Sequence, residues 1–223
     1  MVKMSARFHR LSNGKLKFKR NLNLHWESLQ IKNSSDVLGR LGSLERAILF
    51  SDPTQISTDD IILNGTKFEM YSENEKLTSS TGRLHKIVHG QFFKSQNENF
   101  EKTLIDLTSA GAWSPSLPDD EYLQLEILNL KEDVNYELRL IFSCGKRLGA
   151  NSMTISPGDF KFNIHQTDHS IVAIGKFISN ENKIKLQLNS NVKGQPPFIN
   201  SMVLRKLGES PKATGIAKII TKI

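Results

Sequence analysis

Cysteine is nearly absent from this sequence: Cys144 is the single one, so no intrachain disulfide can form. Small secreted β-domains often rely on such bridges. This chain has to rely on its core or on a reducing compartment. Cys144 itself reads as a small buried hydrophobe at a strand end, because thiol catalysis needs a partner base to which no pattern points. Long apolar runs are missing too. No stretch approaches the ~18 residues that a membrane-spanning helix requires. The basic start, MVKMSARFHRLSNGKLKFKR, lacks the apolar core of ~7–15 residues that marks a secretory leader, so no signal segment is expected. There is no P-loop, no dinucleotide glycine fingerprint and no G-x-S-x-G elbow. Nucleotide-dependent and α/β-hydrolase chemistry therefore have no support in the sequence, and no enzyme activity is expected.

Metal chemistry has little more. His85 and His89, and again His165 and His169, stand at i and i+4, a spacing that binds zinc when it lies on a helix. The first pair falls in a strand-like segment, where i and i+4 are about 13 Å apart. The second straddles a turn beside Asp168. Neither carries the glutamate of a zinc-protease motif. Solvated or capping histidines are the better reading, and neither metal nor cofactor is expected.

What is present is charge, unevenly placed. The formal net charge of the 223 residues is +7. Residues 1–26 hold Lys3, Arg7, Arg10, Lys15, Lys17, Lys19 and Arg20 with no acidic residue, so the remainder is balanced. A basic arm on a neutral body can seek phosphate, anionic lipid or an acidic protein surface. Its aromatics Phe8, Phe18 and Trp26 are candidates for stacking on bases. The neutral body carries no nucleic-acid motif, so nucleic acid is not the expected partner. Arg7, Arg10, Lys15, Lys17, Lys19 and Arg20 are instead assigned to assembly with neighbouring proteins.

Along the chain, residues 15–19 and 21–26 alternate apolar and polar side chains, as an exposed or edge strand does. Ser34-Ser35-Asp36 offers a helix cap ahead of Leu38, Leu41, Leu44 and Ile48 at helical spacing. Gly39 and Gly42 weigh against that helix by about 1 kcal/mol each. From Asn64-Gly65, a hairpin signal, the pattern becomes β. Strands are expected over 66–71, 84–89, 100–107, 122–128, 136–142, 151–156, 160–164, 170–177, 183–188 and 198–207, with no helix between them. Turn residues separate them every ~8–14 positions, which argues for a sandwich or barrel and against a βαβ fold. Asn200, a polar amide between Ile199 and Val203, is expected to satisfy loop backbone groups.

In this half the chain resembles galactose-binding-like jelly rolls and related carbohydrate-binding modules, found beside esterases and in bacteriophage tail and other virion proteins. The likeness is carried by Leu130, Tyr136, Leu138 and Phe142, by residues 151–155 with Gly158, and by 183–188 followed by Phe198-Ile199-Asn200-Ser201-Met202-Val203-Leu204. It covers roughly residues 115–207 and implies a fold more than a ligand.

The resulting expectation is an all-β, antiparallel, jelly-roll-like β-sandwich over 66–207. A basic N-terminal arm and attachment segment with one short helix precedes it (1–65), and a tail follows it (208–223). Trp113, in a loop of small residues, is the candidate aromatic plate for a glycan. Tyr122 and the loop carboxylates Asp119 and Asp120 are its candidate companions. The expected role is a non-catalytic structural or adhesion component of a phage-like virion, oligomeric, held to other virion proteins through its arm and tail. A cell-surface glycan is a further partner. The alternative is a carbohydrate-binding module, free-standing or from a larger glycan-active protein.

Overall fold

The computed structural model describes residues 8–10, 16–18, 25–51, 61–70, 74–82, 85–87, 100–113, 122–143, 152–165 and 169–209. Strands and helices are numbered along the chain. The alternating segments form a five-stranded antiparallel sheet in the order β14 (Phe162–His165), β13 (Ser152–Ser156), β16 (Ile184–Ser190), β11 (Tyr122–Ile127), β8 (Glu75–Ser79). A six-stranded sheet faces it in the order β3 (His25–Gln30), β15 (Ile171–Ile178), β12 (Val134–Phe142), β18 (Ser201–Glu209), β4 (Ser43–Leu49), β7 (Glu69–Met70). All its pairings are antiparallel except β4 with β7. The fold is an all-β sandwich.

Period two places the core. Leu123, Leu125 and Ile127 of β11 and Ile184, Leu186 and Leu188 of β16 point inward, against Tyr136, Leu138, Leu140 and Phe142 of β12. Each such aliphatic side chain stabilises the fold by roughly 1.5–3 kcal/mol through burial. The two open sides of the sandwich are closed differently. On one side Trp26 of β3 stacks on Phe162 of β14, with centroids 6.0 Å apart. On the other, Arg46 of β4 reaches Glu75 of β8 at 2.8 Å and donates to the Leu128 carbonyl at 2.7 Å.

The six-stranded sheet is buried on its second face as well. Ile141, Val172, Ile174, Val203, Ala47 and Leu49 point away from the sandwich into a second core. That core is roofed by α1 (Ser34–Leu38), α2 (Lys102–Thr108) and the hairpin of β5 (Ile62–Leu63) with β6 (Thr66–Lys67), through Val37, Leu38, Leu104, Leu107, Leu63 and Phe68. This explains why β15 and the end of β12, Leu140, Ile141 and Phe142, read as continuous apolar runs while β11 and β16 alternate: only the former have two dry faces.

Several expectations are corrected. The stripe Leu38, Leu41, Leu44, Ile48 does not lie on one helix. The helix is capped by Asn33 in a capping box with Asp36 and ends at Gly39, and the chain enters β4 from Ser43. Gly42 has φ +70, and a Cβ there would lie 2.1 Å from the Lys206 carbonyl oxygen. Only glycine allows this approach, and it turns the chain from helix to strand. Leu41 and Leu44 are consequently exposed. The stretch around 100–107 is the helix α2, not a strand; Phe100, Leu104 and Leu107 share its buried side. Thr103, Ile105 and Thr108 are β-branched, which gives this helix a strand-like local propensity. Residues 110–113 are not a loop: β10 (Gly111–Trp113) lies between β9 (His85–Ile87) and β17 (Phe198–Ile199) in a three-stranded sheet. β3 and β4, from the stretch read as an attachment segment, are paired into the six-stranded sheet with β15 and β18. Trp26 is accordingly a core residue, 6% exposed, and not free to stack on a base. The hairpin at Asn64-Gly65 is present, with φ of 46 and 75 at the two positions, as a tight type I′ connection requires.

Candidate functional site

One sheet face is roofed and the inner faces are packed together. The outer face of the five-stranded sheet is the broad sheet surface left among the described residues. Its side chains follow from the inward set by alternation, and the register arranges them in rows. Tyr122 of β11 stands opposite Asn189 of β16, which stands opposite Thr154 of β13, which stands opposite Asn163 of β14. Two residues along β11, Thr78 of β8, Gln124, Gln187 and Ser156 form the next row. Two further along, Glu126 lies between Lys76 and Lys185. Neighbouring strands are about 4.8 Å apart and successive rows about 7 Å apart.

The hydrogen bonding of these rows is uneven. On the β13–β14 side the groups are tied to one another. The Thr154 hydroxyl lies 2.7 Å from Asn163 Oδ1 and 2.8 Å from Asn191 Oδ1; with one proton it donates to one of them at a time. Asn191 Nδ2 donates to Ser152 Oγ at 3.0 Å. The side-chain amides of Gln124, Gln187 and Asn189, by contrast, bond to none of the described residues. All three are half-buried, and their donors and acceptors face water. In the charged row, Glu126 Oε1 is shared by Lys183 Nζ at 3.4 Å and Lys185 Nζ at 3.6 Å. A plate of unpaired amides beside one phenol offers both donors and acceptors to hydroxyl groups. Among the described residues, no group of three or more His, Cys, Asp and Glu is placed to hold a metal ion.

The structure does not bring the aromatic candidates onto one face. Trp113 packs, half-buried, against the core between the sheets. Tyr122 belongs to the outward set of β11, opposite in sense to the buried Leu123. Asp119 and Asp120 lie outside the described residues. Of the basic arm, Arg10 falls in β1 (Phe8–Arg10) and Lys17 in β2 (Leu16–Phe18), which pair with each other and, among the described residues, with no further strand. Arg7, Lys15, Lys19 and Arg20 lie outside the described residues, as do Cys144, His89 and Asp168. His165 and His169 are exposed. Gln124, Gln187 and Asn189 are not among the sequence candidates, which centred on an aromatic in a loop and its neighbours. The signal was there in the strands with the cleanest alternation, whose outward positions carry amides as well as charges.

No helix among the described residues is long and apolar enough to cross a membrane. No family model matches the sequence, and no curated protein matches it. Among solved structures the chain is similar to the ANX1 ectodomain from Arabidopsis thaliana, at 12% identity and a TM-score of 0.48, over 74% of this chain and 42% of that one. The chain thus spans less than half the length of that ectodomain.

Proposed function

We propose that this chain is a non-catalytic glycan-recognition module whose ligand lies on the outer face of the five-stranded sheet. The reading is carried by the three amides without described partners, Gln124, Gln187 and Asn189, in register beside Tyr122. Sugar hydroxyls need donors and acceptors in close alternation, and side-chain amides supply both. A tyrosine adds an apolar face with a polar tip. A solvated face with no ligand needs none of this.

The test is a glycan array with the whole chain, followed by titration of any hit against Gln124→Ala, Gln187→Ala and Tyr122→Ala. Each is expected to weaken binding several-fold with an unchanged melting temperature. Loss on Trp113→Ala with no effect of the other three would move the site to the β10 end of the sandwich. Silence across the array would remove the glycan reading.

A second reading, a structural or adhesion component of a virion held by its basic arm, is favoured by one observation. β1 and β2 form a sheet of their own that no strand of the sandwich joins. That reading expects the purified chain to enter an ordered assembly and to lose this ability when the six arm cations are replaced together.

A further inference from the structure

The charge of the candidate face differs from that of the chain around it. Beyond the basic arm the sequence is electrically balanced. The outward positions of the five-stranded sheet are not. Lys76 of β8, Lys185 of β16, Lys183 just before β16 and Lys161 just before β14 all belong to the outward alternation, and Glu126 is the one acidic residue among them. All four lysines are exposed, while the Glu126 side chain is 14% exposed. Glu126 is in register with Lys76 on one side and Lys185 on the other. It is also within ion-pair distance of Lys183. One partly buried carboxylate is therefore surrounded by three exposed ammonium groups at one end of the amide plate. Three ammonium groups against one carboxylate leave this end of the face net positive toward an arriving ligand.

From this arrangement we infer that the ligand is an acidic polysaccharide, a chain bearing carboxylates, laid over the amide rows with its acidic groups at the Lys76–Lys183–Lys185 end. The inference rests on the glycan reading of the same face. The amides suit any sugar hydroxyl, and the lysines decide between neutral and acidic chains. Exposed lysines contribute modestly one by one but act together on a polyanion and make binding salt-dependent.

The experiment compares mannan with polymannuronate, two chains that differ chiefly in the carboxylate, by calorimetry with the whole chain at low and at high salt. Polymannuronate is expected to bind more tightly than mannan and to weaken as salt rises. The Lys76→Ala/Lys185→Ala double variant is expected to bind polymannuronate about tenfold more weakly, and Lys76→Arg/Lys185→Arg to retain binding. The basic arm is present in every variant, so a loss on the double alanine variant belongs to the face. Mannan bound as tightly as polymannuronate, or a double alanine variant that binds polymannuronate like the parent, overturns the inference. In that case a continuing loss on Gln124→Ala would leave the glycan reading intact. If neither chain binds and the array is silent, both fall together.

Discussion

Asn200 provides the sharpest test of how this sandwich is held. The residue is wholly buried between β17 and β18. Its Oδ1 accepts from the Ser143 backbone N–H at 2.6 Å, where β12 ends. Its Nδ2 donates to the Ala110 carbonyl at 2.6 Å and lies 3.2 Å from the Thr108 carbonyl, at the end of α2. One side chain thus joins the last turn of a roof helix, the start of the strand that carries Trp113, and the end of the central strand. Thr108, Ala110 and Ser143 are themselves buried, so water does not stand ready to replace it. Asn200→Ala leaves an N–H and two carbonyls unpaired. An orphaned buried group costs about 1–3 kcal/mol, with carbonyls, which have a second lone pair, at the lower end. The expected loss is about 3–5 kcal/mol, a large share of the stability of an ordinary domain. Asn200→Asp adds a sign that cavity formation cannot mimic. An ionised carboxylate would point an oxygen at two carbonyls in a dry site, so the folded state holds this carboxyl above its unfolded pKa. Stability relative to the parent is then best at low pH and is lost as pH rises through the raised folded pKa. Urea denaturation of the parent and both variants across a pH series reads both effects. A loss under about 0.5 kcal/mol for Asn200→Ala, or a pH-independent deficit for Asn200→Asp, refutes the reasoning.

Three further outcomes follow from close contacts. In Gly175→Ala the new methyl would sit 2.6 Å from Trp26 Cζ2, forcing the indole off Phe162; the expected loss is about 1–3 kcal/mol, visible as a lower urea midpoint and altered tryptophan fluorescence. Arg46→Ala removes the ion-pair partner 2.8 Å from Glu75, whose side chain is 1% exposed while that of Arg46 is 17% exposed. It should destabilise by about 3 kcal/mol, and Arg46→Ala/Glu75→Gln should recover part of that in a double-mutant cycle. Arg205 donates to the Leu41, Leu38 and Gly42 carbonyls at 2.6, 3.2 and 2.7 Å. Arg205→Ala is expected to lower stability by about 1–2 kcal/mol, and hydrogen exchange should show the loss first in α1.

The sandwich was legible wherever one face of a strand is wet. β11, β13, β14 and β16 stand within two residues of the alternating segments, because alternation is the direct imprint of a half-buried sheet. Asn200 was legible as well, since a lone amide between Ile199 and Val203 must find partners. The roof was not. α1 is one turn and a half, and its lower side meets charge as well as carbon: Arg139 Nη1 donates to the Asp36 carbonyl at 2.7 Å, and Arg139 Nε pairs with the buried Glu137 at 2.7 Å. Nothing in the local pattern of residues 34–38 announces partners a hundred positions away. α2 is a helix although Thr103, Ile105 and Thr108 are β-branched, a case of tertiary packing overriding propensity. The arm was cut too long for a similar reason. Trp26 ends a stretch of isolated alternation and residues 43–49 carry the end of a helical stripe; their places in the sheet follow only from pairing with β15 and β18.

The covering of one sheet bears on what the other can do. With both its faces buried, the six-stranded sheet acts as a scaffold, and the five-stranded sheet is bolted to it through Leu123, Leu125, Ile127, Leu186 and Leu188. Gln124 and Glu126 on β11 and Lys185 and Gln187 on β16 are each flanked along their strand by buried core residues. The spacing between Gln124 and Gln187 is fixed before any ligand arrives, and a preformed spacing removes part of the ordering cost of binding. The side chains are another matter. Gln124, Gln187 and Asn189 have no described partner to hold their rotamers, and each immobilised side chain costs roughly 0.5–1.5 kcal/mol on binding. A flat face also buries less of a ligand than a closed pocket does. One module should therefore bind weakly, and useful retention on a polymer would come from several faces engaged together. If the chain is presented in multiple copies, affinity for an immobilised polysaccharide should exceed that for a short oligosaccharide by far more than the added contacts explain. Equal affinity for the two, measured on the same preparation, would mean that the face closes around its ligand and that the flat-plate geometry is not the bound one.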